Sequence, residues 1–315
     1  MIKAHDIYAA FDRISNMINH TPIMTSGILN NLSGKKLFFK CENFQKVGAF
    51  KYRGACNAIL QNIEKAREFG VMTHSSGNHA QAIAKASQEL GIKATIIMPR
   101  NAPQVKIDAT RNSYGAKVVF CENTVESREK TATKLTKQNN YIFIHPYDNE
   151  FIIAGAGTAA LELLKFKSNF DALIIPVGGG GLLSGSSIIT KHLNSDIKIF
   201  AAEPENADDA YRSLHADKII KNTTTDTIAD GLRTNLSPLT FGIIKKNTDQ
   251  VFRISEKDII EAMRLIWERM KIIVEPSAAI TLSAVLHKEF PDEIKNIGLI
   301  LSGGNIDLSS FFDIS

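Results

Sequence analysis

Asp171-Ala-Leu-Ile-Ile-Pro-Val177 runs directly into Gly178-Gly179-Gly180-Gly181 and then into Leu182-Leu-Ser184. The first segment is an apolar run too short for a helix, and the last begins a periodic apolar pattern. This order predicts a buried strand, a tight turn and a helix start. Four residues without a Cβ let the backbone approach a ligand closely, and amides at a helix N-terminus attract anions. The stretch therefore predicts a cradle for a phosphate group, with a flexible loop as the alternative.

The composition is that of an ordinary globular protein. The chain has 315 residues, of which 44% are hydrophobic and 22% charged, enough for one large domain and a second, smaller one. It contains no apolar run of about 18 residues that could span a membrane. Acidic residues interrupt the N-terminal segment where a signal peptide needs an apolar core. We therefore expect a cytoplasmic protein that has no membrane contact.

Charge and cysteine usage bear on the partners. The net charge of +4 arises from 37 basic and 33 acidic residues spread along the chain. The doublets Lys35-Lys36 and Lys245-Lys246 are isolated, which favours solvated surface over a nucleic-acid site. Cys41, Cys56 and Cys121 show no paired spacing and are expected to be reduced core thiols.

Short apolar runs alternate with helical patterns along most of the chain. The predicted strands are 37–41, 71–75, 94–98, 117–121, 141–144, 171–177, 198–202 and 297–301. The predicted helices cover about 5–18, 50–68, 78–90, a segment that opens at Pro103, 124–138, 154–166, 182–193, 237–246, 256–271 and 276–288. Strands separated by helices of this length imply right-handed crossovers and a parallel, doubly wound sheet.

Polar clusters follow four of the predicted strands. They are Ser75-Ser76-Gly77-Asn78-His79, the four glycines, the acidic segment Glu203-Pro-Glu-Asn-Ala-Asp-Asp209 and Ser302-Gly-Gly-Asn305. Ligands of α/β sheets bind at the carboxyl ends of the strands. The sequence thus predicts that these four clusters line one shared crevice.

Several motifs resemble those of the fold type II pyridoxal-phosphate enzymes, in the serine/threonine dehydratase group. They are Gly48-Ala-Phe-Lys-Tyr-Arg-Gly54, Ser75-Ser-Gly-Asn-His79, the four glycines and Ser302-Gly-Gly-Asn305. Further segments are most similar to the racemase branch of that group: Phe38-Phe-Lys-Cys-Glu42, Ala201-Ala-Glu-Pro204, Thr227-Ile-Ala-Asp-Gly231 and Trp267-Glu-Arg-Met-Lys271. The resemblance covers nearly the whole chain.

The resemblance implies an α/β fold of the tryptophan synthase β type, with two doubly wound open sheets, in a homodimer. A large cofactor-binding domain would comprise residues 1–69 and 148–315. A small domain, 70–147, would be inserted in it and would close on the substrate.

The resemblance implies pyridoxal 5′-phosphate as the cofactor. Gly178, Gly179, Gly180 and Gly181 would then hold its phosphate, Asn78 would bind the 3′ oxygen of the ring, and Phe50 would pack on the ring. Ser302 would be the partner of the pyridine nitrogen. A serine hydroxyl is neutral and does not force that nitrogen to stay protonated, which suits racemisation and β-elimination better than transamination.

Two residues are implied to be catalytic. Lys51 resembles the lysine whose amine condenses with the cofactor aldehyde and acts as a base when freed. Read without the family, Lys51 is a surface lysine on a helix. Racemisation also needs a proton delivered to the opposite face of the substrate, and Ser76 is the candidate donor. Threonine dehydratases of this group commonly have alanine there, and the alternative for Ser76 is a helix N-cap.

The substrate carboxylate is expected at the N-terminus of the helix that follows Ser75. Ser75, Ser76, Asn78 and His79 would hold it, and Arg128 resembles the residue that closes over the substrate. Without the family, His79 is a satisfied polar residue and Arg128 an ordinary surface charge.

Glu203 and Asp209, with the backbone carbonyl of Ala207, match the group's divalent cation site. Carboxylate and carbonyl oxygens suit Mg²⁺ or Ca²⁺, in a structural role. The alternative is a solvated acidic turn.

Some residues match the group's nucleotide site at the dimer interface: Ser26, Lys46, Gln81, Tyr114, Lys271 and Asn305. Gly27 and Val47 replace hydroxyl residues of that site. ATP as an allosteric activator is therefore a weaker implication than the cofactor.

The implied function is a racemase that interconverts L- and D-serine and also eliminates serine to pyruvate and ammonia. Tyr147, in His145-Pro-Tyr-Asp148, is more like the dehydratases of the group. It leaves an L-threonine/L-serine dehydratase or a 3-hydroxyaspartate ammonia-lyase as alternatives. A non-catalytic regulatory protein that binds cofactor or nucleotide is a third possibility, against which the intact Lys51, Ser76 and Ser302 argue.

Overall fold

The structure is a computed structural model that describes residues 2–102 and 104–308. Ten strands lie in this part of the chain: β1 (Ile23–Met24), β2 (Lys36–Cys41), β3 (Val71–His74), β4 (Ala94–Pro99), β5 (Lys117–Cys121), β6 (Ile142–Phe143), β7 (Ala172–Pro176), β8 (Lys198–Pro204), β9 (Gln250–Ile254) and β10 (Asn296–Leu301). The α-helices of the same part are α1 (Ala4–Ile14), α2 (Gly27–Ser33), α3 (Lys51–Leu60), α4 (Ile63–Phe69), α5 (Asn78–Glu89), α6 (Gln104–Asp108), α7 (Val125–Asn139), α8 (Glu150–Phe166), α9 (Gly181–Leu193), α10 (Asp209–His215), α11 (Pro238–Asn247), α12 (Glu256–Met270) and α13 (Pro276–His287).

The larger sheet has six strands in the order β1-β2-β10-β7-β8-β9. All neighbouring strands are parallel except β1, which pairs antiparallel with β2 at the edge. Because β2, β10 and β7 are adjacent, the segments that follow Cys41, Leu301 and Pro176 emerge at the same edge of the sheet. The fold thus brings together segments that are far apart in the sequence.

The smaller sheet has four parallel strands in the order β5-β4-β3-β6. Its strands lie between Val71 and Phe143, within the segment predicted to be the small domain. Both sheets are open, and helices separate successive parallel strands, as the alternating pattern predicted. The predicted α/β fold with two open sheets is therefore confirmed.

The larger sheet is buried on both faces. Phe39, Ile174 and Leu299 lie in a core cluster that includes residues of α12 and α13. Leu173 and Ile300, which point to the opposite face, lie in a second cluster with residues of α8 and α9. Successive side chains of a strand point to opposite faces. This explains why the central strands read as continuous apolar runs.

Some predicted helix limits were wrong. The helix expected over 50–68 is two helices, because Asn62 leaves the helical conformation (φ −120°, ψ 24°) and donates a side-chain hydrogen bond to the carbonyl of Ala58. The helix expected from 154 begins at Glu150, because the side chain of Asn149 accepts hydrogen bonds from two amides of the first turn. The helix expected to open at Pro103 is described from Gln104 onward, and Pro103 itself lies outside the described residues.

Cys41, Cys56 and Cys121 are buried and unpaired, as predicted for core thiols. Burial raises the pKa of the Cys41 and Cys56 thiols to about 12, which keeps them protonated and unreactive at neutral pH. Across residues 2–102 and 104–308, none of the helices combines the length and the apolar character that crossing a membrane requires.

Candidate active site

Lys51 is the first residue of α3 and is partly buried. Its Nζ donates a hydrogen bond to the backbone carbonyl of Pro146, at 3.1 Å. Burial lowers the pKa of the amine to about 8, and the negative charge of Glu275 opposes this only in part. A lysine amine with such a pKa is neutral in about a tenth of the molecules at pH 7, far more than an ordinary lysine, and only the neutral form can attack a carbonyl carbon or accept a proton.

The start of α3 is fixed to the segment that follows β10. The amide of Phe50 donates to the carbonyl of Ser302 at 3.0 Å, and Ala49 and Gly303 form an isolated antiparallel bridge. The Nζ of Lys51 lies 5.0 Å from the centroid of the Phe50 ring. Lys51, Phe50 and Ser302, predicted to serve one cofactor, are therefore neighbours.

Gly178 to Gly181 form the turn between β7 and α9 and are buried. A Cβ on Gly178 would lie 2.8 Å from the Cα of Leu232, and one on Gly179 would overlap the ring of Tyr147. Gly180 has a positive φ of 86°, which favours glycine. The loop therefore packs with no room for side chains, and the first amides of the 13-residue helix α9 lie beside it. These features are compatible with the predicted phosphate site.

Asn78 is the first residue of α5 and is held by two side chains. Its Nδ2 donates to both carboxylate oxygens of Glu275, at 2.9 and 3.1 Å, and its Oδ1 accepts from Asn305 Nδ2 at 2.9 Å. Asn305 Nδ2 also donates to the carbonyl of Val47 at 2.7 Å. This network fixes the side-chain orientation of Asn78 and ties the smaller sheet's first helix to segments around the larger sheet.

Sequence reasoning missed Glu275. It is buried, and its carboxylate binds Asn78 and the amide of Asn305, at 3.1 Å for the latter. The available signal was a glutamate directly before Pro276, the first residue of an apolar helix. A carboxylate in such a position is usually interpreted as a favourable charge at a helix N-terminus. Ser302, in turn, is buried, and its hydroxyl is 3.4 Å from the carbonyl of Ser277.

Ser75, Ser76 and Gly77 connect β3 to α5. The Ser75 hydroxyl accepts a hydrogen bond from the amide of Gly77 at 3.2 Å. Gly77 itself occupies the N-cap position of α5, and no side chain caps that helix. The N-cap alternative for Ser76 is thus wrong, and its hydroxyl is left for another use.

His79 is buried in the first turn of α5. Its Nε2 lies 3.4 Å from the carbonyl of Ile144, and its Nδ1 has no partner among the residues that the structure describes. Burial, and to a lesser extent the positive charge of Lys51, lower its pKa well below the usual value. The ring is therefore neutral, and a neutral ring near Lys51 fits a polar binding role better than a charged one.

Of the turn His145-Pro146-Tyr147-Asp148, only Tyr147 was singled out from the sequence. The Nδ1 of His145 accepts hydrogen bonds from the amides of Asp148 (2.9 Å) and Tyr147 (3.4 Å). Burial lowers the pKa of His145 to about 4, with a further contribution from His74. The turn therefore places the carbonyl that binds Lys51 and the ring that covers Gly179 within consecutive residues.

Arg128 lies on α7 and is partly buried. Its guanidinium Nε is 3.5 Å from the carbonyl of Thr124. Next to burial, its positive charge is the largest cause of the lowered pKa of His74, the residue before Ser75. Arg128 is thus near the predicted substrate loop but makes no hydrogen bond to it among the described residues.

Glu203 and Asp209 lie at the end of β8 and the start of α10, with Ala207 buried between them. Glu203 accepts hydrogen bonds from the amides of Tyr211 (2.6 Å) and Ala210 (3.2 Å). Burial raises the pKa of Glu203 well above its usual value and that of Asp209 to about 6. Within the described ranges, neither carboxylate forms an ion pair with a lysine or arginine. Buried carboxylates without such a counterion are compatible with a hard divalent cation, and the site stays a prediction.

The residues predicted to bind nucleotide are only partly brought together. Lys46 Nζ binds the Glu89 carboxylate at 2.9 Å, and the ammonium of Lys85 lies 6.0 Å from the ring centroid of Tyr114. Asn305 is bound to Asn78, as described above. The other three are distributed over separate helix ends: Ser26 caps α2, Gln81 is in the first turn of α5 and Lys271 follows α12.

The chain is similar in sequence to known proteins over nearly its whole length. The sequence model of the family described as pyridoxal-phosphate dependent enzyme matches residues 14–303. A serine racemase of Dictyostelium discoideum is 52% identical over 99% of this chain and 98% of its own length. A beta-hydroxyaspartate dehydratase of Paracoccus denitrificans is 44% identical over 96% of both chains.

Solved structures also resemble this chain over nearly its whole length. A crystal structure of serine racemase from Dictyostelium discoideum superposes with a TM-score of 0.92 at 51% identity, covering 97% of this chain and 99% of the other. The family match includes both sheets, the glycine loop and Lys51. Since these matches extend over nearly the whole chain, it belongs to the pyridoxal-phosphate dependent enzyme family.

Proposed function

We propose that this enzyme is a serine racemase, which interconverts L- and D-serine and also eliminates serine to pyruvate and ammonia. The observation that carries the proposal is the partly buried Lys51 amine, with a pKa of about 8, whose charge acts on His79 in the first turn of the helix that follows the Ser76 loop. The serine racemase relative that is 52% identical supports the same substrate. Membership in a family of enzymes argues against the non-catalytic alternative.

Pyridoxal phosphate, when bound, supplies an electron sink that stabilises negative charge on the substrate Cα. We assign its phosphate to Gly178–Gly181 and α9, its ring to Phe50, its 3′ oxygen to Asn78 and its pyridine nitrogen to Ser302. The side chain of Asn78 is already oriented by Glu275 and Asn305. Such support keeps a binding group in place without the cofactor's help.

Lys51 and Ser76 share the proton transfers. Lys51 removes the Cα proton on one face, and Ser76 donates a proton on the other, which inverts the configuration. In the opposite direction the two residues exchange roles. When the β-hydroxyl leaves as water after the first proton transfer, later hydrolysis releases pyruvate and ammonia, so one substrate divides between two products.

The substrate carboxylate binds at the N-terminus of α5. Its amides, Ser75, Ser76, Asn78 and His79 form the site, and Arg128 closes over it from α7. The neutral ring of His79 supports this assignment, because a buried polar nitrogen without a partner in the described chain needs one.

We further propose that Glu203, Asp209 and the carbonyl of Ala207 bind Mg²⁺ or Ca²⁺ and thereby stabilise the connection from β8 to α10. The raised pKa values of the two carboxyl groups, caused by burial, support this site.

The assembly, too, is a proposal: a cytoplasmic homodimer, with a large domain of residues 1–69 and 148–315 and a small domain of residues 70–147. Exposed large apolar side chains such as Ile28 and Leu32 of α2 support a covered surface, and unpaired cysteines support a reducing compartment. ATP could act at Ser26, Lys46, Gln81, Tyr114, Lys271 and Asn305 only after Lys46 is released from Glu89.

A second candidate function is 3-hydroxyaspartate or threonine dehydration. Tyr147, whose ring lies over Gly179, favours it, because this residue is more like the dehydratases of the group. The 44% identical dehydratase supports it as well.

One assay separates these functions. Purified enzyme with pyridoxal phosphate and Mg²⁺ is given L-serine, L-threonine or 3-hydroxyaspartate, and D-serine and the keto acids are measured. Racemisation of L-serine supports the main proposal, whereas a keto acid from 3-hydroxyaspartate without any D-serine supports the second. Lys51→Ala should abolish all products. Ser76→Ala should abolish D-serine and keep pyruvate, and a mutant that racemises like the parent contradicts the assigned role of Ser76.

A further inference from the structure

Tyr52 directly follows Lys51 and makes an unusual long-range contact. Its ring is buried, and its hydroxyl donates a hydrogen bond to Glu89 Oε2 at 2.6 Å. Tyr52 lies at the start of α3, and Glu89 is the last residue of α5. The bond therefore joins the beginning of one helix to the end of another.

The acceptor of this bond is a charged carboxylate. Glu89 also binds Lys46 at 2.9 Å and Lys85 at 3.4 Å. Burial opposes its ionisation, but the hydrogen bonds from Tyr52 and Lys46 outweigh burial and lower the pKa of Glu89. A hydrogen bond to a charged acceptor is roughly twice as strong as one between neutral groups. The side chain of Glu89 is 25% exposed, so water weakens the ion pairs more than the hydrogen bond of the buried tyrosine.

The two helices carry the two proposed proton-transfer groups. Lys51 is the first residue of α3, and the loop with Ser76 leads directly into α5. The other end of α5 is also attached, through Asn78 and Glu275. The position of the Ser76 loop relative to Lys51 thus depends on where α5 lies against α3.

Apolar packing between these helices does not by itself fix that position. α3 packs against α5, and small side chains such as Ala80 and Ala84 lie in the same core cluster as Tyr52. Small side chains give a smooth surface, and apolar contact has no direction. The directional hydrogen bond from Tyr52 to Glu89 therefore adds a constraint at one end of α5, beside the contact of Asn78 at the other end.

The lever is long. α5 has 12 residues, so it spans about 18 Å at 1.5 Å per residue. A tilt of about 4° around Glu89 would move its N-terminus by about 1 Å. A misplacement of this size can slow a reaction about 100-fold.

We propose that Tyr52 and Glu89 are positioning residues that hold α5 against α3 and so set the share of serine that is racemised instead of eliminated. The inference rests on the proposed function. Both reactions begin with Lys51, but only racemisation needs the proton from Ser76. A shift of α5 therefore reduces racemisation more than elimination, whereas general loss of folded enzyme reduces both equally.

The test uses conservative variants of the cofactor-loaded enzyme. Tyr52→Phe removes the hydroxyl and with it the hydrogen bond, whereas Glu89→Gln replaces the charged acceptor by a weaker, neutral one of the same shape. Lys85→Met is the matched control, because Lys85 binds Glu89 from within α5 and does not connect the two helices. We expect the ratio of D-serine to pyruvate from L-serine to fall about threefold or more in Tyr52→Phe, by a smaller factor in Glu89→Gln, and no further in the double variant than in Tyr52→Phe, because one bond carries the effect. The control should keep the parental ratio.

A second measurement does not depend on racemisation. Hydrogen exchange without serine should be faster at the amides of residues 75–78 in Tyr52→Phe and Glu89→Gln, but not in Lys85→Met. An unchanged product ratio or unchanged exchange in the folded variants overturns the inference. If the parent forms no D-serine, the proposed function fails, and exchange alone decides whether the pair positions the loop. If Tyr52→Phe does not fold, Glu89→Gln, altered only at a helix end, decides both measurements.

Discussion

The Nζ of Lys51 and the backbone carbonyl of Pro146 are 3.1 Å apart, and this contact links the two halves of the candidate site. Pro146 belongs to the turn that also places Tyr147 over Gly179 of the glycine loop. A movement of the turn would therefore act on the reactive amine and on the phosphate cradle together. A backbone carbonyl is not protonated near neutral pH. It therefore accepts the hydrogen bond that orients the Lys51 amine but does not take the proton from it.

Gly179→Ala should weaken pyridoxal-phosphate binding about 5- to 150-fold, since a new Cβ overlaps the Tyr147 ring and buried overlap costs about 1–3 kcal/mol. The measurement is a fluorescence titration of cofactor-free protein. Gly242→Ala, a helical glycine with nothing within 4 Å of the new Cβ, is the control and should bind like the parent. Tyr147→Ala in the Gly179→Ala background should restore part of the affinity. Undiminished affinity in Gly179→Ala would contradict the close packing of the loop.

The glycine loop was predictable because its signal is local: a strand, four small residues and a helix in immediate succession. The contacts of Lys51 and Asn78 were not predictable from local sequence. Asn78 and Glu275 are 197 positions apart, and the carbonyl of Pro146 offers no side chain that a motif could identify. These contacts join segments that follow β3 and β6 of the smaller sheet to segments around the larger sheet, and alternation along the chain does not determine how the two sheets lie against each other.

Local exceptions to periodicity were missed for a related reason. The two-residue strand β1 is too short to show alternation, and the break at Asn62 depends on a hydrogen bond from its side chain to Ala58. The buried ion pair between Arg53 and Glu162 could not be predicted either, because charged residues in a sequence are normally interpreted as surface residues.

Removal of divalent cations should destabilise the protein through Glu203 and Asp209. A ligand that binds only the native state raises its stability with concentration. We expect the melting temperature to fall with a chelator and to recover with Mg²⁺ or Ca²⁺, as measured by differential scanning fluorimetry. In Asp209→Asn the cation should have little effect. If neither the chelator nor the cation changes the melting temperature of the parent protein, the proposed cation site is wrong.

Arg53 should be a major source of stability. It is fully buried and binds Glu42 at 2.7 Å and Glu162 at 2.6 Å, while Lys40 binds Glu162 at 2.6 Å. Removing one member of a buried ionic cluster leaves an unpaired charge, so Arg53→Met should cost about 3–5 kcal/mol in urea unfolding. The matched control is Arg67→Met, which breaks the exposed pair with Glu64 and should cost less than about 1 kcal/mol. Equal costs for both variants would show that burial of the cluster does not matter.

His145 should make the protein sensitive to acid. Its pKa is lowered to about 4 by burial, so between its ordinary value and pH 4 the unfolded chain takes up a proton that the native state does not. Stability must then fall as the pH falls through this window, by at most about 3 kcal/mol, and by less because the ring is partly exposed. Protonation of Nδ1 would also remove the acceptor for the amides of Tyr147 and Asp148.

The acid sensitivity assigned to His145 can be isolated by substitution. His145→Gln has no titrating ring, so its unfolding free energy, measured by urea titration from pH 7 to pH 4, should decline less steeply than that of the parent. His5→Gln is the control, since the side chain of His5 is 74% exposed, and it should keep the parental slope. Part of the slope should persist in His145→Gln, because burial also lowers the pKa of His74. A parental slope in His145→Gln would mean that another group causes the acid lability, and His74→Gln would then be the variant that flattens it.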